Sequence, residues 1–207
     1  MSVISDFINI ASKEIGYKET GINITKYNEW ADEKGIWFTK VQGLAWCTSF
    51  VAWCIYKLAP KYSWKDNPFC IDFNSCWSDH WMYNFKEGGR LYTTPEVGDL
   101  AFKNGHVGIV VAFNPRSDLV QVIEGNVGNS VNREWYPLTH WLGFGRPYWD
   151  FFKILPVQES ETTSAKEFVS NNGIYIGRGD GEMHWEDNLT REEMALILYR
   201  YWRKFNK

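Results

Sequence analysis

The sequence predicts an α+β fold with a small helical tail, and three observations carry that reading. Apolar residues fall at helical spacing across roughly the first sixty positions. From Gly98 onward the pattern changes to short runs rich in β-branched and aromatic residues, separated by turn residues. Helices followed by consecutive strands, rather than alternating with them, indicate α+β. After Tyr148 the texture shifts again: a polar, apolar-poor stretch precedes about forty residues that read as helix, glycine-rich loop, helix. The expected division is therefore a first domain over 1–155, a linker over 156–166 and a helix–loop–helix piece over 167–207.

The first helix is read from Val3, Ile4, Phe7, Ile8, Ala11 and Ile15, which share one face at a 3.6-residue period. A second clear helix lies in "LAWCTSFVAWCIYKLAP", which stops at Pro60. Residues 61–95, rich in aromatics, Asp and Asn, read as irregular. The strands are "GDLAFK", "HVGIVVAF", "LVQVIEGN", "VNREWYPL" and "GFGRPYW". In the tail, Thr190 and Glu193 form a capping box, and Met194, Ile197, Leu198, Tyr201, Trp202 and Phe205 make an apolar stripe. A piece this small buries little core alone, so it is expected to dock on the first domain, on a copy of itself or on a ligand.

Composition narrows the function classes. The chain has 207 residues, 44% hydrophobic and 23% charged, which suits a folded domain with a real core. Its formal charge of −3 and lack of a basic run argue against nucleic acid as a partner. The opening "MSVISDFINIASKEIGYKE" has neither a basic n-region nor a continuous apolar h-region, so no secretory signal is expected. No apolar run is long enough to span a bilayer, and no membrane partner is expected. The four cysteines, Cys47, Cys54, Cys70 and Cys76, match no common zinc spacing and are too few for a disulfide scaffold.

The chemistry is sought around those cysteines. A thiol becomes a good nucleophile when it loses its proton, and a helix N-terminus or a nearby histidine promotes that loss. Cys47 follows Gly43 at the start of its helix, so its sulfur should sit near the unpaired amides of the first turn. Cys54 lies two turns deeper and is assigned to packing. Of His80, His106, His140 and His184, His106 opens the strand "HVGIVVAF" behind Asn104-Gly105. A hairpin centred on Arg116 places Val110 opposite Val122 and Ala112 opposite Val120. The same register places His106 opposite Asn126 and diagonal to Glu124, all on one face. His106 would then take the thiol proton and return it to the leaving amine, with Glu124 or Asn126 fixing its tautomer.

"AWCTSFVAWC", "PEVGDLAFKNGHVGIVVAF", "VIEGNVGNSVNREWYPL" and "GFGRPYW" together resemble the CHAP domain of cysteine- and histidine-dependent amidohydrolases and peptidases. The likeness covers roughly residues 5–150. It implies a papain-like fold of N-terminal helices on an antiparallel sheet, with Cys47 as nucleophile, His106 as base, Glu124 as third member and Asn126 as helper. It also implies peptidoglycan as substrate, cut either as an N-acetylmuramoyl-L-alanine amidase or as an endopeptidase. "GYKETGINITKYNEW" looks like the opening of CHAP domains in lysins of phages that infect Gram-positive hosts.

The chain holds 12 Trp, 11 Tyr and 13 Phe, enough to wall a sugar–peptide groove as well as a core. Tyr27, Trp30, Trp46, Trp77, Trp135 and Trp141 are the candidates to line it; the alternative for each is a place in the core. The backbone amide of Cys47 is the expected oxyanion donor, with Gln42 or Tyr27 as a side-chain addition. Some members of the family bind calcium before the nucleophile. Here that stretch offers only the adjacent Asp32 and Glu33, so no metal and no cofactor are expected.

The tail "FVSNNGIYIGRGDGEMHWEDNLTREEMALILYRYWRK" resembles a single S-layer homology repeat. That implies a secondary cell-wall polymer as partner, or self-assembly into a homo-oligomer, since such repeats commonly work in threes. His184 and Trp185 are candidates for glycan contact; a structural role is the alternative. The leading expectation is a phage endolysin made in the host cytoplasm and released to the wall through a holin. The alternatives are a bacterial or virion-associated wall hydrolase or effector, and a catalytically inactive wall-binding protein.

Overall fold

The computed structural model describes residues 2–58, 62–64, 69 and 75–154. The chain divides after Leu155, and the elements below belong to the first unit, Met1–Leu155. The helix stop at Pro60, Cys70, the linker, the S-layer-like repeat, the capping box at Thr190, His184 and Trp185 lie outside the described residues.

The architecture is α+β. Four helices are described: α1 (Val3–Ser12), α2 (Lys26–Lys34), α3 (Cys47–Tyr56) and α4 (Ser78–Glu87). Eight strands are described: β1 (Tyr62–Trp64), β2 (Leu91–Tyr92), β3 (Leu100–Lys103), β4 (His106–Asn114), β5 (Leu119–Val127), β6 (Ser130–Pro137), β7 (Gly143–Gly145) and β8 (Phe152–Ile154). Strands β2, β7, β3, β4, β5 and β6, in that spatial order, form a six-stranded antiparallel sheet, and β1 pairs with β8.

Local chemistry explains the helix ends. Ser2 caps α1 by accepting from the Ser5 amide, and Thr25 caps α2 through the Asn28 amide. Helix α2 ends on Gly35 in the left-handed conformation, the usual stop. Helix α1 ends before Ile15, which is 41% exposed and so not part of the buried stripe expected for it. The chain turns there through Gly16, whose amide donates to Val131 O. Helix α4 falls inside the stretch expected to be irregular. Its buried Trp81 and Phe85 stand one turn apart, Asp79 lies in its first turn and Gly88 closes it.

Alternation along the strands creates two apolar faces. Leu100, Phe102, Val107, Ile109 and Ile123 join α1, α2 and α3 in the main core, with Phe7, Tyr27, Trp46 and Phe50. Ala101, Val110, Val120 and Val122 face the other way, against Trp141 and Phe144. By the same alternation Lys103, His106 and Glu124 share the second face.

The β4–β5 register agrees with the expected hairpin only in part. Val110 lies opposite Val122 and Gly108 opposite Glu124, but Ala112 faces Gln121 rather than Val120. The reason is a bulge at Val111, where one extra residue in β4 shifts everything nearer the turn.

Candidate active site

Cys47 is the first residue of α3. The residue before it, Trp46, serves as N-cap without any side-chain cap hydrogen bond. Tryptophan is a poor cap, so the first-turn amides are left for another acceptor. The approach to Cys47 is held from several sides. Asn28 donates to the Leu44 carbonyl at 3.0 Å and accepts from Ser49 Oγ at 2.5 Å. Thr48 donates to the Cys76 carbonyl at 2.8 Å, tying α3 to the chain entering α4.

The histidine is placed by the tight β3–β4 hairpin, in which Lys103 pairs with His106 across Asn104-Gly105. Gly105 adopts a φ of 64°, which costs little without a Cβ. Its amide donates to Asp79 Oδ1 of α4 at 2.8 Å, and its carbonyl oxygen lies 4.0 Å from Cys47 Sγ. This pinned turn carries His106 toward the sulfur, and the nearness of the thiol favours the protonated ring. On the other side of the ring, His106 Nε2 lies 2.9 Å from Glu124 Oε1. Nδ1 is therefore the ring nitrogen left for the sulfur.

Glycines set the spacing. A Cβ at Gly125 would stand 2.7 Å from Phe50 Cβ and 2.8 Å from the Trp46 ring, so only glycine lets β5 press this closely on α3. A Cβ at Gly108 would stand 2.5 Å from Val122 and 2.7 Å from Glu124 Cγ, displacing the carboxylate. Both neighbours of the Glu124 position thus have to stay small.

The electrostatics follow from the geometry. Burial alone would push the His106 imidazolium toward losing its proton, but the neighbouring Cys47 and the hydrogen-bonded Glu124 outweigh it and raise the pKa to about 9. Glu124 is fully buried, which by itself would favour the neutral acid. Contacts with His106, Tyr136 and Lys103 overcome that and hold its pKa below the usual carboxylate value. Lys103 Nζ lies 3.7 Å from the same oxygen that His106 uses. Glu124 Oε2 makes no well-formed hydrogen bond among the described residues, although the Tyr136 hydroxyl is close enough to favour the anion.

The structure brings Cys47, His106 and Glu124 together and leaves Asn126 aside. The β4–β5 ladder ends at Gly108–Glu124, so Asn126 is not opposite His106 as the hairpin register implies. A bulge between Glu124 and Val127 puts Asn126 in the left-handed region, φ 66°, and no hydrogen bond joins it to the imidazole.

The proposed groove residues separate sharply. Tyr27 and Trp46 have no exposed surface; Tyr27 donates to Glu14 at 2.6 Å and Trp46 Nε1 to Glu19 at 2.9 Å, and their rings stack. Burial removes both from a groove wall and removes Tyr27 as an oxyanion donor. Trp30 is half-buried against Tyr56. Trp141 is 7% exposed and packs on Tyr136 and His140. Trp135 on β6 and Trp77 at the start of α4 are exposed, Trp77 being the neighbour of Cys76. Gln42 is exposed, and its side-chain oxygen accepts from the Thr25 amide at 3.3 Å.

Asp32 has a structural role. Its carboxylate accepts from the amides of Val41 and Gln42 at 2.7 and 3.2 Å, clamping the loop before Cys47. Among the described residues no three His, Cys, Asp or Glu side chains cluster as metal ligands would. Sequence reasoning gave no role to Lys103 or Tyr136, and it chose His106 over His140. The signal for Lys103 was its place directly across the hairpin from His106.

No curated protein and no solved structure matches the chain. Residues 39–126, the stretch that holds Cys47, His106, Glu124 and Asn126, match the family model of the CHAP domain.

Proposed function

We propose that the first unit is a cysteine-dependent amidohydrolase or peptidase that cuts an amide bond of bacterial peptidoglycan. One observation carries this reading: a thiol at an uncapped helix start lies against the turn that bears an imidazole, and that ring is held by a buried carboxylate. That is the arrangement a thiol nucleophile needs.

The chemistry follows in order. Cys47 Sγ, its proton held by His106, attacks the amide carbonyl carbon. The carbonyl oxygen becomes an anion, and the first-turn amides of α3 with the positive end of the helix receive it. His106 then gives its proton to the leaving nitrogen, and the C–N bond breaks to leave a thioester on Cys47. Water, deprotonated by His106, attacks that thioester and restores the thiol. Glu124 keeps the ring oriented and balances its charge throughout.

The finer reading is an endolysin that reaches the wall after release from the cytoplasm where it is made. It is supported by the likeness of residues 16–30 to phage lysin openings. The tail is proposed to hold a wall polymer or a second copy of the chain. Purified peptidoglycan treated with the full chain should release new amino termini, and mass spectrometry of the fragments names the bond. Cys47→Ala should release none. Equal release by Cys47→Ala and the parent protein would overturn the assignment. For the endolysin role, cells expressing the protein internally should stay intact until their membrane is permeabilised. Lysis without permeabilisation would overturn the holin-dependent reading.

A further inference from the structure

The oxygen that orients His106 is shared with a second cation. Glu124 Oε1 lies 2.9 Å from His106 Nε2 and 3.7 Å from Lys103 Nζ. Lys103 is not a loose surface lysine. Its ammonium donates to His140 Nε2 at 2.9 Å, and it stands 5.1 Å from the Trp141 ring centre and 5.6 Å from that of Tyr136. His140 in turn stacks on Tyr136 at 4.6 Å. Three elements, β6, the turn Leu138–His140 and Trp141, therefore fix one lysine against a fully buried carboxylate. A lysine that served only solubility would not need this seat.

We propose that Lys103 is a positioning residue of the catalytic group: held by His140, Tyr136 and Trp141, its ammonium competes with the His106 imidazolium for Glu124 Oε1 and limits how firmly that ring keeps its proton. The proposal rests on the triad reading above. Its physics is simple. Glu124 must be an anion to orient His106, yet an unopposed buried anion would hold the imidazolium so tightly that proton delivery to the leaving amine slows. Lys103 supplies the opposing charge and also favours the ionised carboxylate. The groups that face this cluster are Cys47 from α3, Asp79 from α4 through the Gly105 amide, Glu124 from β5, Tyr136 from β6 and His140 from the turn after it. Lys103 is the cation among them that touches Glu124 besides His106.

The test is the imidazole titration followed by NMR of the full chain, with the His106 signal identified by its absence in His106→Asn. In Lys103→Met the His106 midpoint should rise by roughly 0.5–1 unit, as expected for loss of one partly screened charge within about 7 Å. The alkaline limb of kcat/KM for wall lysis should move up with it. Lys103→Arg should restore the parent midpoint. Lys103→Gln serves as the second neutral variant should the methionine variant fail to fold. An unchanged or lowered midpoint in a folded neutral variant overturns the proposal. These outcomes are separable from failure of the triad reading, because the NMR midpoint does not depend on substrate. An active Cys47→Ala would refute the triad while leaving the midpoint measurement interpretable.

Discussion

The first and last turns of α3 carry the same residue in nearly the same degree of burial, yet in different surroundings. Cys47 is 4% exposed and Cys54 is fully enclosed, so exposure hardly separates them. Their neighbours do. Cys47 meets an imidazole, a glycine carbonyl and the amides of an uncapped helix start. Cys54 lies in the main core; burial first, then the Glu14 carboxylate, pushes its thiol well above the ordinary value against a smaller opposing effect of Lys26. A cysteine's reactivity is therefore a property of what points at it, not of how much water reaches it.

The strongest way to break this contrast is to exchange the two roles by substitution. Cys47→Ser should lower the lytic rate by about a thousandfold or more while leaving the melting temperature nearly unchanged. Cys54→Ser should do the reverse, keeping activity while costing about 1–3 kcal/mol for a hydroxyl placed in an apolar site. A lytic assay and thermal unfolding on the two variants read the result. Loss of activity in Cys54→Ser with an unchanged melting temperature would undo the assignment of that residue to packing.

His106→Ala comes next, with an expected loss of about a hundred- to ten-thousandfold in kcat/KM. Glu124→Gln should lose less and should also bring the alkaline limb down, since the carboxylate is one of the groups raising the His106 pKa. With the parent protein, kcat/KM should fall only as pH passes about 9, where His106 loses the proton owed to the leaving group. A fall centred near the ordinary histidine value of 6.5 would contradict the geometry. The same shifts act on stability. The raised His106 pKa contributes stability that is complete below 6.5 and disappears as pH rises through about 9. The lowered Glu124 pKa contributes stability present above the ordinary 4.5 and lost as pH falls through the depressed value.

Gly125→Ala probes the contact that brings the two elements together. Its new methyl would overlap Phe50 and Trp46, so a loss of about 1–3 kcal/mol is expected by thermal unfolding. The finest test is alkylation at neutral pH by a small thiol reagent, read by peptide mass. Cys47 should label in minutes and Cys54 hardly at all. Equal labelling would erase the comparison.

Much of the site was legible because its determinants are local. A glycine-preceded cysteine at a helix start, a two-residue hairpin before His106 and alternation along β4 and β5 are short-range patterns. Register near Gly108 followed from turn symmetry and apolar pairing. The failures came where a single residue changed the count. The bulge at Val111 moved Ala112, and the bulge after Glu124 took Asn126 out of the pairing that would have set it opposite His106. The first has no composition signal, because an ordinary residue such as Val111 fills the extra place; the second had one in the Gly- and Asn-rich "EGNVGN", since Asn126 adopts a left-handed φ. Tyr27 and Trp46 were misplaced for another reason: an aromatic suited to a sugar suits a core equally, and only packing decides. Helix α4 was obscured by its aromatic, asparagine-rich surroundings, although Trp81 and Phe85 already marked its buried face.

The kink in β4 has a consequence for how this protein could be altered. Because the strand loses step at Val111, the tip of the hairpin and the His106 end pair with β5 in different registers. Residues 115–117 could be lengthened or fused to a reporter with the Gly108–Glu124 pairing kept, provided the Asp118 carbonyl keeps the Leu138 amide that begins the turn carrying His140. The bulge is thus an expansion joint on one side of that loop; on the other side Asp118 links it to the turn that seats Lys103.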